Sequence, residues 1–306
     1  MSANVEDMFS VREVPWHGLG TIVKEAPTSH DAIRLAGLDW TVDSKPVFDE
    51  EGKEIEGFKA NTRSSDNSIL GIVSNKYKII QNTEAFEFTD NLISDEVHYE
   101  TAGSLRSGKT IWLLAKLPEK YIIGDKFDPY ICFTNNHDGK GAVTVCMTPI
   151  RVVCNNTLNL ALNSAKRSWS IRHLGDINGK LAEARQTLAL ADLYMDNLNK
   201  EANRLINVSV TDAELEAIFD ELYPIDSNDS NRKKTNIISM KENIFNKYQS
   251  ADISKFKGTA WGVINAVTDF AAHTTPARVT DTFQENNWGR IIGGHPIVDA
   301  FYKKVA

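Results

Sequence analysis

The feature that most constrains the fold is the segment 127–175, in which two apolar runs flank a turn. Ile131 and Phe133 share one side of the first predicted strand, as Val143 and Val145 do in the second. The intervening letters NNHDGKG supply asparagine and glycine, which tolerate the positive φ angles of tight turns. The segment therefore predicts a β-hairpin within an antiparallel sheet.

Further strand-like patterns precede this hairpin and extend it into a meander. Each shows apolar and polar residues in alternation and is bounded by turn-forming residues. A short helix is predicted over residues 32–36, and another begins after Asn82-Thr83. The predicted strands are 40–48 and 55–61, joined by the EEGKE turn, then 69–80, 98–105 and 109–117.

The last third of the chain predicts helices. Apolar residues recur at steps of three and four from Leu181 to Leu205, which places them on one stripe of a long helix. The stripe is either a seam between subunits or a face laid on its own domain. Thr211 and Glu214 form a capping box that begins another helix, and the polar residues 225–235 predict a loop.

These patterns together predict an α+β fold. An antiparallel meander sheet packed with helices occupies residues 1–175, and a mainly helical region occupies residues 176–306. A helix over residues 158–166 is predicted to close the first domain, after the cap that Asn155 to Thr157 provides.

Charge is unevenly distributed along the chain. The 306 residues carry a net charge of −7, yet residues 101–175 hold ten Lys or Arg and four Asp or Glu, a local balance of +6. Such asymmetry is typical of a surface that binds a polyanion, and it is equally compatible with an ordinary solvated face.

Bulk composition excludes several classes. No apolar run approaches the roughly 18 residues of a membrane span, and the N-terminus lacks the basic start and apolar block of a secretory signal, so we expect a cytoplasmic protein without a membrane partner. The cysteines are odd in number and form no C-x-x-C pair, which predicts buried apolar residues rather than disulfides or zinc ligands. They are Cys132, Cys146 and Cys154.

Catalytic motifs give little support for an enzyme. There is no phosphate-binding G-x-x-x-x-G-K-[ST] loop and no H-x-x-x-H pair, so we assign no catalytic residue, metal ligand or cofactor. His137-Asp138 resembles a dipeptide of metal-dependent phosphohydrolases, although turn chemistry alone explains it within a glycine-rich hairpin. The absence of a complete motif favours binding over catalysis.

Basic and aromatic residues are interleaved on and after the predicted sheet. Cations that contact phosphates beside rings that stack on bases are typical of a groove for single-stranded nucleic acid. The alternative is that the rings belong to the core and the cations to a solubilising rim. The predicted binding residues are Arg106, Lys109, Trp112, Arg151, Lys166, Arg167, Trp169, Arg172 and His173.

Several strings also resemble a known family. TPIRVVCNNTLNLAL (148–162), SIRHLGDI (170–177), YKIIQNTEAFEF (77–88), VPWHGLGT (14–21) and TAWGVINAVTDFAAH (259–273) are similar to the phage/plasmid-like proteins of prokaryotes, catalogued as a domain of unknown function. This resemblance implies a mobile-element origin and supplies no activity. The order of helices and strands resembles, at the level of architecture, the single-strand annealing proteins of phages, which bind single-stranded DNA in a basic groove.

The sequence thus leads to one hypothesis and two alternatives. The leading hypothesis is a phage- or plasmid-encoded, homo-oligomeric protein that binds single-stranded nucleic acid, to anneal or protect DNA in recombination or replication. The first alternative is a metal-dependent nuclease or phosphohydrolase that uses His137 and Asp138. The second is an interaction protein that captures a host factor.

Overall fold

The computed structural model of the chain describes residues 5–11, 21–23, 28–85, 98–151, 156–157, 168–175, 190–274 and 294–306. The chain divides into two compact units. The first comprises Met1–Pro118, Pro129–Met147 and Lys166–Ala191, and the second comprises Glu119–Asp128, Thr148–Ala165 and Asp192–Ala306. Each unit collects segments that are far apart in the sequence. The predicted boundary after residue 175 stays a prediction.

A large, mostly antiparallel sheet forms the first unit, with the strand order β12-β10-β9-β7-β6-β1-β2. Strands β1 and β2 are the parallel pair. The strands are β1 (Val5–Val11), β2 (Thr21–Val23), β6 (His98–Leu105), β7 (Thr110–Lys116), β9 (Asp125–Asn136), β10 (Val143–Arg151) and β12 (Ser168–Ile171).

The first unit also holds a separate three-stranded antiparallel sheet, a helix near its start and further helical residues at 82–85. The sheet has the order β3-β4-β5, with strands Val42–Phe48, Glu54–Arg63 and Ile69–Ser74. Helix α1 (Ser29–Leu35) begins where the Thr28 side chain accepts a hydrogen bond from the Asp31 N–H. The β3–β4 pairing across EEGKE is confirmed.

The core of the first unit lies on one face of the large sheet. Ile111, Leu113 and Ala115 of β7 point into it, together with Val143 and Val145 of β10. The alternation of side chains along β7 therefore buries this predicted core face. On the opposite face of β7, Thr110 and Trp112 are buried, whereas Leu114 and Lys116 are half-buried.

The second unit is mainly helical. Its most buried helix is α5, in which every residue from Ala260 to Asp269 is buried, and Trp261 is fully enclosed. Short strands β8 (Lys120–Ile122) and β11 (Asn156–Thr157) pair with the parts of β9 and β10 that belong to this unit. The helices are α2 (Leu190–Leu205), α3 (Asp212–Leu222), α4 (Asn231–Tyr248), α5 (Ala260–His273) and α6 (Pro296–Val305), with a 3₁₀ turn at Ser254–Phe256.

The α+β prediction is confirmed, with helices mainly in the C-terminal part. The capping box of Thr211 and Glu214 is present, and Cys132 and Cys146 are buried, as predicted. The predicted loop 225–235 is too long, because Ser230 caps helix α4 and the helix begins at Asn231. The helix predicted over 158–166, and Cys154, lie outside the described residues.

The apolar stripe predicted from Leu181 to Leu205 is buried inside its own unit where the structure describes it. Met195, Leu198, Ala202 and Leu205 are at most 2% exposed. This part of the stripe is a core face rather than a seam between subunits. Residues 181–189 lie outside the described residues.

Candidate nucleic-acid interface

Four loops meet at one end of the large sheet. Thr110 of β7 pairs with Asn136 of β9, and the His137 N–H donates to the Lys109 carbonyl at 2.8 Å, so loops 106–109 and 137–142 are neighbours. Val143 of β10 pairs with Ile171 of β12, which places loop 172–175 on the other side of loop 137–142. The Lys78 N–H donates to the His173 carbonyl and brings segment 75–78 alongside. We call these four loops the cationic end.

The cationic end carries six cations and one carboxylate, a formal balance of +5. Four of the cations are exposed, whereas Arg106 and Lys109 are half-buried. The carboxylate is that of Asp138. The cations are Lys76, Lys78, Arg106, Lys109, Lys140 and Arg172.

Arg106 holds two of these loops together. Its guanidinium donates to the Asp138 carboxylate at 3.0 Å, to the Thr110 hydroxyl, and to the Asn136 side-chain oxygen at 3.3 Å. Arg106 and Ser107 both have positive φ, of 55° and 56°, a conformation that costs a non-glycine residue about 1–2 kcal/mol. The turn thus accepts strain in order to place this guanidinium, whose charge Asp138 offsets.

The other five cations of the cationic end differ from Arg106 in their contacts. Among the residues that the structure describes, Lys76, Lys78, Lys109, Lys140 and Arg172 form no ion pair with a carboxylate. Their charge is therefore available to a ligand, and they supply most of the positive potential of the cationic end.

Buried polar side chains lie beneath the cationic end and fix its shape. The Asn82 amide donates to the carbonyls of Leu38 and Trp40 at 2.9 and 3.2 Å, so its oxygen is left to accept from His137 Nε2 at 3.1 Å. The Asn61 amide donates to the His137 carbonyl at 2.8 Å. All three polar side chains are at most 1% exposed, and they anchor loop 137–142 from below.

This network settles the state of His137. Because Asn82 Oδ1 can only accept, Nε2 carries the proton and Nδ1 is an acceptor, which has no partner among the described residues. Burial, reinforced by the nearby His173, lowers the pKa of His137 to about 3. The imidazole is therefore neutral at physiological pH and serves as a structural donor.

Side chains hold segment 77–82 through hydrogen bonds of the kind that a neighbouring strand would otherwise supply. His173 Nδ1 donates to the Lys78 carbonyl at 2.9 Å, and the Asn135 amide donates to the Ile80 carbonyl at 3.0 Å. The Tyr77 hydroxyl donates to the Asn136 carbonyl, and its ring stacks on His173 at 4.5 Å. Burial raises the pKa of Tyr77 and lowers that of His173.

One glycine is required by this packing. A Cβ on Gly71 of β5 would come within 2.6 Å of the Asp138 backbone, closer than any real side chain approaches a neighbour. The three-stranded sheet can therefore support loop 137–142 only because β5 is bare at this point.

The structure brings together four of the predicted binding residues and separates others. Arg106, Lys109, Arg172 and His173 all lie in the cationic end, although His173 is 3% exposed and holds Lys78 instead of facing solvent. Lys166, Arg167 and the side chain of Arg151 lie outside the described residues.

The two tryptophans do not form a common stacking platform. Trp169 pairs with Val145 and packs against the main core, on the face shared with Ile111 and Leu113. Trp112 alternates with those two residues and so lies on the opposite face. Since Trp112 is also 5% exposed, it cannot offer its ring to a base, and we do not keep it among the binding residues.

The dipeptide His137-Asp138 is committed to internal contacts. The His137 ring lies edge-on to Trp40 at 5.5 Å, and Asp138 accepts from Arg106 and from the Lys140 N–H. In the described part of the chain, no three His, Cys, Asp or Glu side chains are grouped so as to hold a metal ion.

Sequence reasoning missed Lys76, Lys78 and Lys140 as members of the site. Lys140 lies in the predicted turn, where its charge could have been counted with Arg106 and Lys109. Lys76 and Lys78 gave no such signal, because 95 residues separate Lys78 from its partner His173. No sequence pattern indicated the role of the three buried asparagines, Asn61, Asn82 and Asn135, either.

The described residues define an α+β protein whose large sheet ends in a cluster of cationic loops. Residues 69–290 match the family described as Domain of unknown function (DUF932). Because this match spans more than half of the chain, the protein belongs to that family. No curated protein and no solved structure matches the chain. Within the described residues, no helix is both long and apolar enough to cross a membrane.

Proposed function

We propose that this protein binds single-stranded nucleic acid through the cationic end. The observation that carries the proposal is the convergence of six cations from four separate loops around a single, already paired carboxylate. Phosphates are the commonest polyanionic partner of such a surface, and their contacts with Lys and Arg supply most non-specific nucleic-acid affinity.

The dimensions of the cationic end suit a short stretch of backbone. From β7 through β9 and β10 to β12 there are three strand spacings, or roughly 14 Å. Lys109 and Arg172 lie at the two sides of this span and Lys140 in its middle loop. A nucleic-acid strand that crosses these loops would contact cations along its path. The buried amides beneath keep the loops in place.

The described rings at this end are buried, which favours phosphate contacts over base stacking. Tyr77 is 7% exposed and His173 is 3% exposed. We therefore propose binding with little base preference and a strong dependence on salt. Such binding would serve to protect or anneal DNA in a phage or plasmid context, within the cytoplasm.

The test is an oligonucleotide titration at increasing salt. Fluorescence anisotropy with a labelled single strand should give a dissociation constant that rises about 10²-fold or more between about 50 and 200 mM salt, as expected for several phosphate contacts. The variant Lys78→Ala/Lys109→Ala/Lys140→Ala/Arg172→Ala should lose that binding and flatten the salt slope.

A matched variant separates this site from net charge. Lys45→Ala/Lys200→Ala/Arg232→Ala/Lys303→Ala also removes three lysines and one arginine, from exposed positions elsewhere, and it should bind like the wild type. Equal losses in both variants, or no binding by the wild type at about 50 mM salt, would refute the proposal.

A further inference from the structure

Strands β3 and β4 continue past the end of β5 as a two-stranded hairpin. Phe58 is the last β4 residue paired with β5, opposite Ser74, and the Asn75 N–H closes the edge on the Gly57 carbonyl at 3.0 Å. Residues 47–56 extend beyond that point by roughly 15 Å, at about 3.3 Å per residue. We call residues 47–56 the acidic arm.

The tip of the acidic arm is a well-formed turn. The Asp49 carboxylate accepts from the backbone N–H groups of Glu51 and Lys53 at 3.1 and 2.8 Å. Gly52 takes the positive φ of 78° that this turn needs. The acidic arm is thus an ordered hairpin rather than an irregular loop.

Both faces of the acidic arm are exposed. Every residue from Glu54 to Phe58 is exposed, although successive side chains of a strand point to opposite faces. Phe48, Ile55 and Phe58 are 54%, 40% and 50% exposed. A two-stranded hairpin is marginally stable by itself, and exposed apolar residues of this size mark an interaction surface.

Charge decides what kind of partner the arm takes. It carries five carboxylates and one lysine, a balance of −4, so nucleic acid would be repelled. The same chain offers a complementary surface, because the cationic end has a balance of +5 and also exposes Leu174, at 42%. The carboxylates of the arm are Asp49, Glu50, Glu51, Glu54 and Glu56.

We propose that the acidic arm of one copy docks on the cationic end of a second copy. Carboxylates would face lysines and arginines at the rim, and Phe48, on the face of the hairpin that Glu54 shares, would cover Leu174. Since the two surfaces differ, the contact is head-to-tail and repeats from copy to copy into a ring or a filament. The contact does not require nucleic acid, although both partners would occupy the same end.

Sedimentation velocity of the full chain without nucleic acid tests this contact. At about 50 mM salt the wild type should sediment faster than a monomer, and at about 500 mM it should dissociate, because screening weakens exposed charge pairs. Two charge-reversed variants should remain monomeric at both concentrations. They are Glu50→Lys/Glu51→Lys/Glu54→Lys in the arm and Lys78→Glu/Lys140→Glu/Arg172→Glu in the end.

Mixing the two variants gives the decisive result. The reversed arm then meets a reversed end, and the native arm of the second variant meets a native end, so assembly should return. A wild-type monomer at about 50 mM salt, or a mixture that stays monomeric while both variants keep their circular dichroism, would overturn the proposal.

The same variants keep this proposal separate from the proposed function. The arm-reversed variant should lose self-association and retain oligonucleotide binding. Association retained by the arm-reversed variant would refute only the docking contact. An absence of oligonucleotide binding by the wild type would refute only the proposed function.

Discussion

The two units of this protein use different polar groups to join segments far apart in the sequence. In the first unit, buried amides and imidazoles join residues far apart in sequence, as when Asn61 contacts His137 across 76 positions and His173 contacts Lys78 across 95. In the second unit, charged groups and a phenol make the long-range contacts, as when Lys255 contacts Asp125 across 130 positions and Tyr302 contacts Glu201 across 101. Local contacts, such as the capping box of Thr211 and Glu214, mark its helices. The first unit thus buries neutral polar groups that position its loops, whereas the second buries apolar side chains around Trp261.

The candidate site lies in the first unit, where buried amides and imidazoles connect segments far apart in the sequence. A cationic surface repels itself, so its loops need supports that do not rely on the surface charges. Asn61, Asn82 and Asn135 provide them from below. Three measurements test this difference between the units.

The largest effect is expected at the Arg106–Asp138 pair. Arg106→Ala leaves the Asp138 carboxylate, 4% exposed, without its guanidinium, and should lower the free energy of unfolding by about 3 kcal/mol. In the second unit Arg204→Ala removes an i,i+3 pair whose arginine is 47% exposed and should cost less than about 1 kcal/mol. Urea denaturation followed by circular dichroism measures both. Similar losses in the two variants would end the distinction between the units.

A smaller effect is expected from acid. The pKa of His137 is about 3 when folded and about 6.5 when unfolded, so the unfolded chain binds the extra proton between these values. Stability should therefore fall as the pH drops below about 6.5, by about 2 kcal/mol from this residue between pH 7 and pH 5. His173, whose pKa is also lowered, acts in the same direction.

The variant His137→Gln should remove that share of the difference between pH 7 and pH 5, whatever its stability at either pH. The exposed His30→Gln should keep the wild-type difference. Ring nitrogen NMR of the wild type gives a second measure. A His137 imidazole that is protonated at pH 5 would contradict the burial argument.

The smallest effect is expected at Ser107. Its φ of 56° suits glycine, so Ser107→Gly should raise the free energy of unfolding by about 0.5–1 kcal/mol. The same replacement at Ser239, within helix α4 of the second unit, should lower it by about 0.5 kcal/mol. Thermal unfolding of the two variants gives the signs. A loss at both positions would show that the Ser107 side chain matters more than the backbone conformation.

Much of the fold could be predicted, because its determinants are local. Alternation located the strands β6, β7, β9 and β10, and the EEGKE turn located the tip of the acidic arm. The site was only partly predictable. Arg106 and Lys109 lie at the same end of the sheet as Arg172 because β12 pairs with β10, and no local pattern specifies which strands become neighbours. For the same reason the opposite placement of Trp112 and Trp169 escaped sequence reasoning.

The order of amino acids alone specifies which segments are strands or helices and where the positive charge is concentrated, since periodicity, caps and composition are properties of neighbouring residues. The folded chain was needed to show that Lys78 contacts His173, that Trp112 is buried and that both faces of the acidic arm are exposed. These outcomes depend on strand order and on which face each residue takes. Both are settled by contacts between residues many positions apart, where the free energy of burial outweighs any local preference.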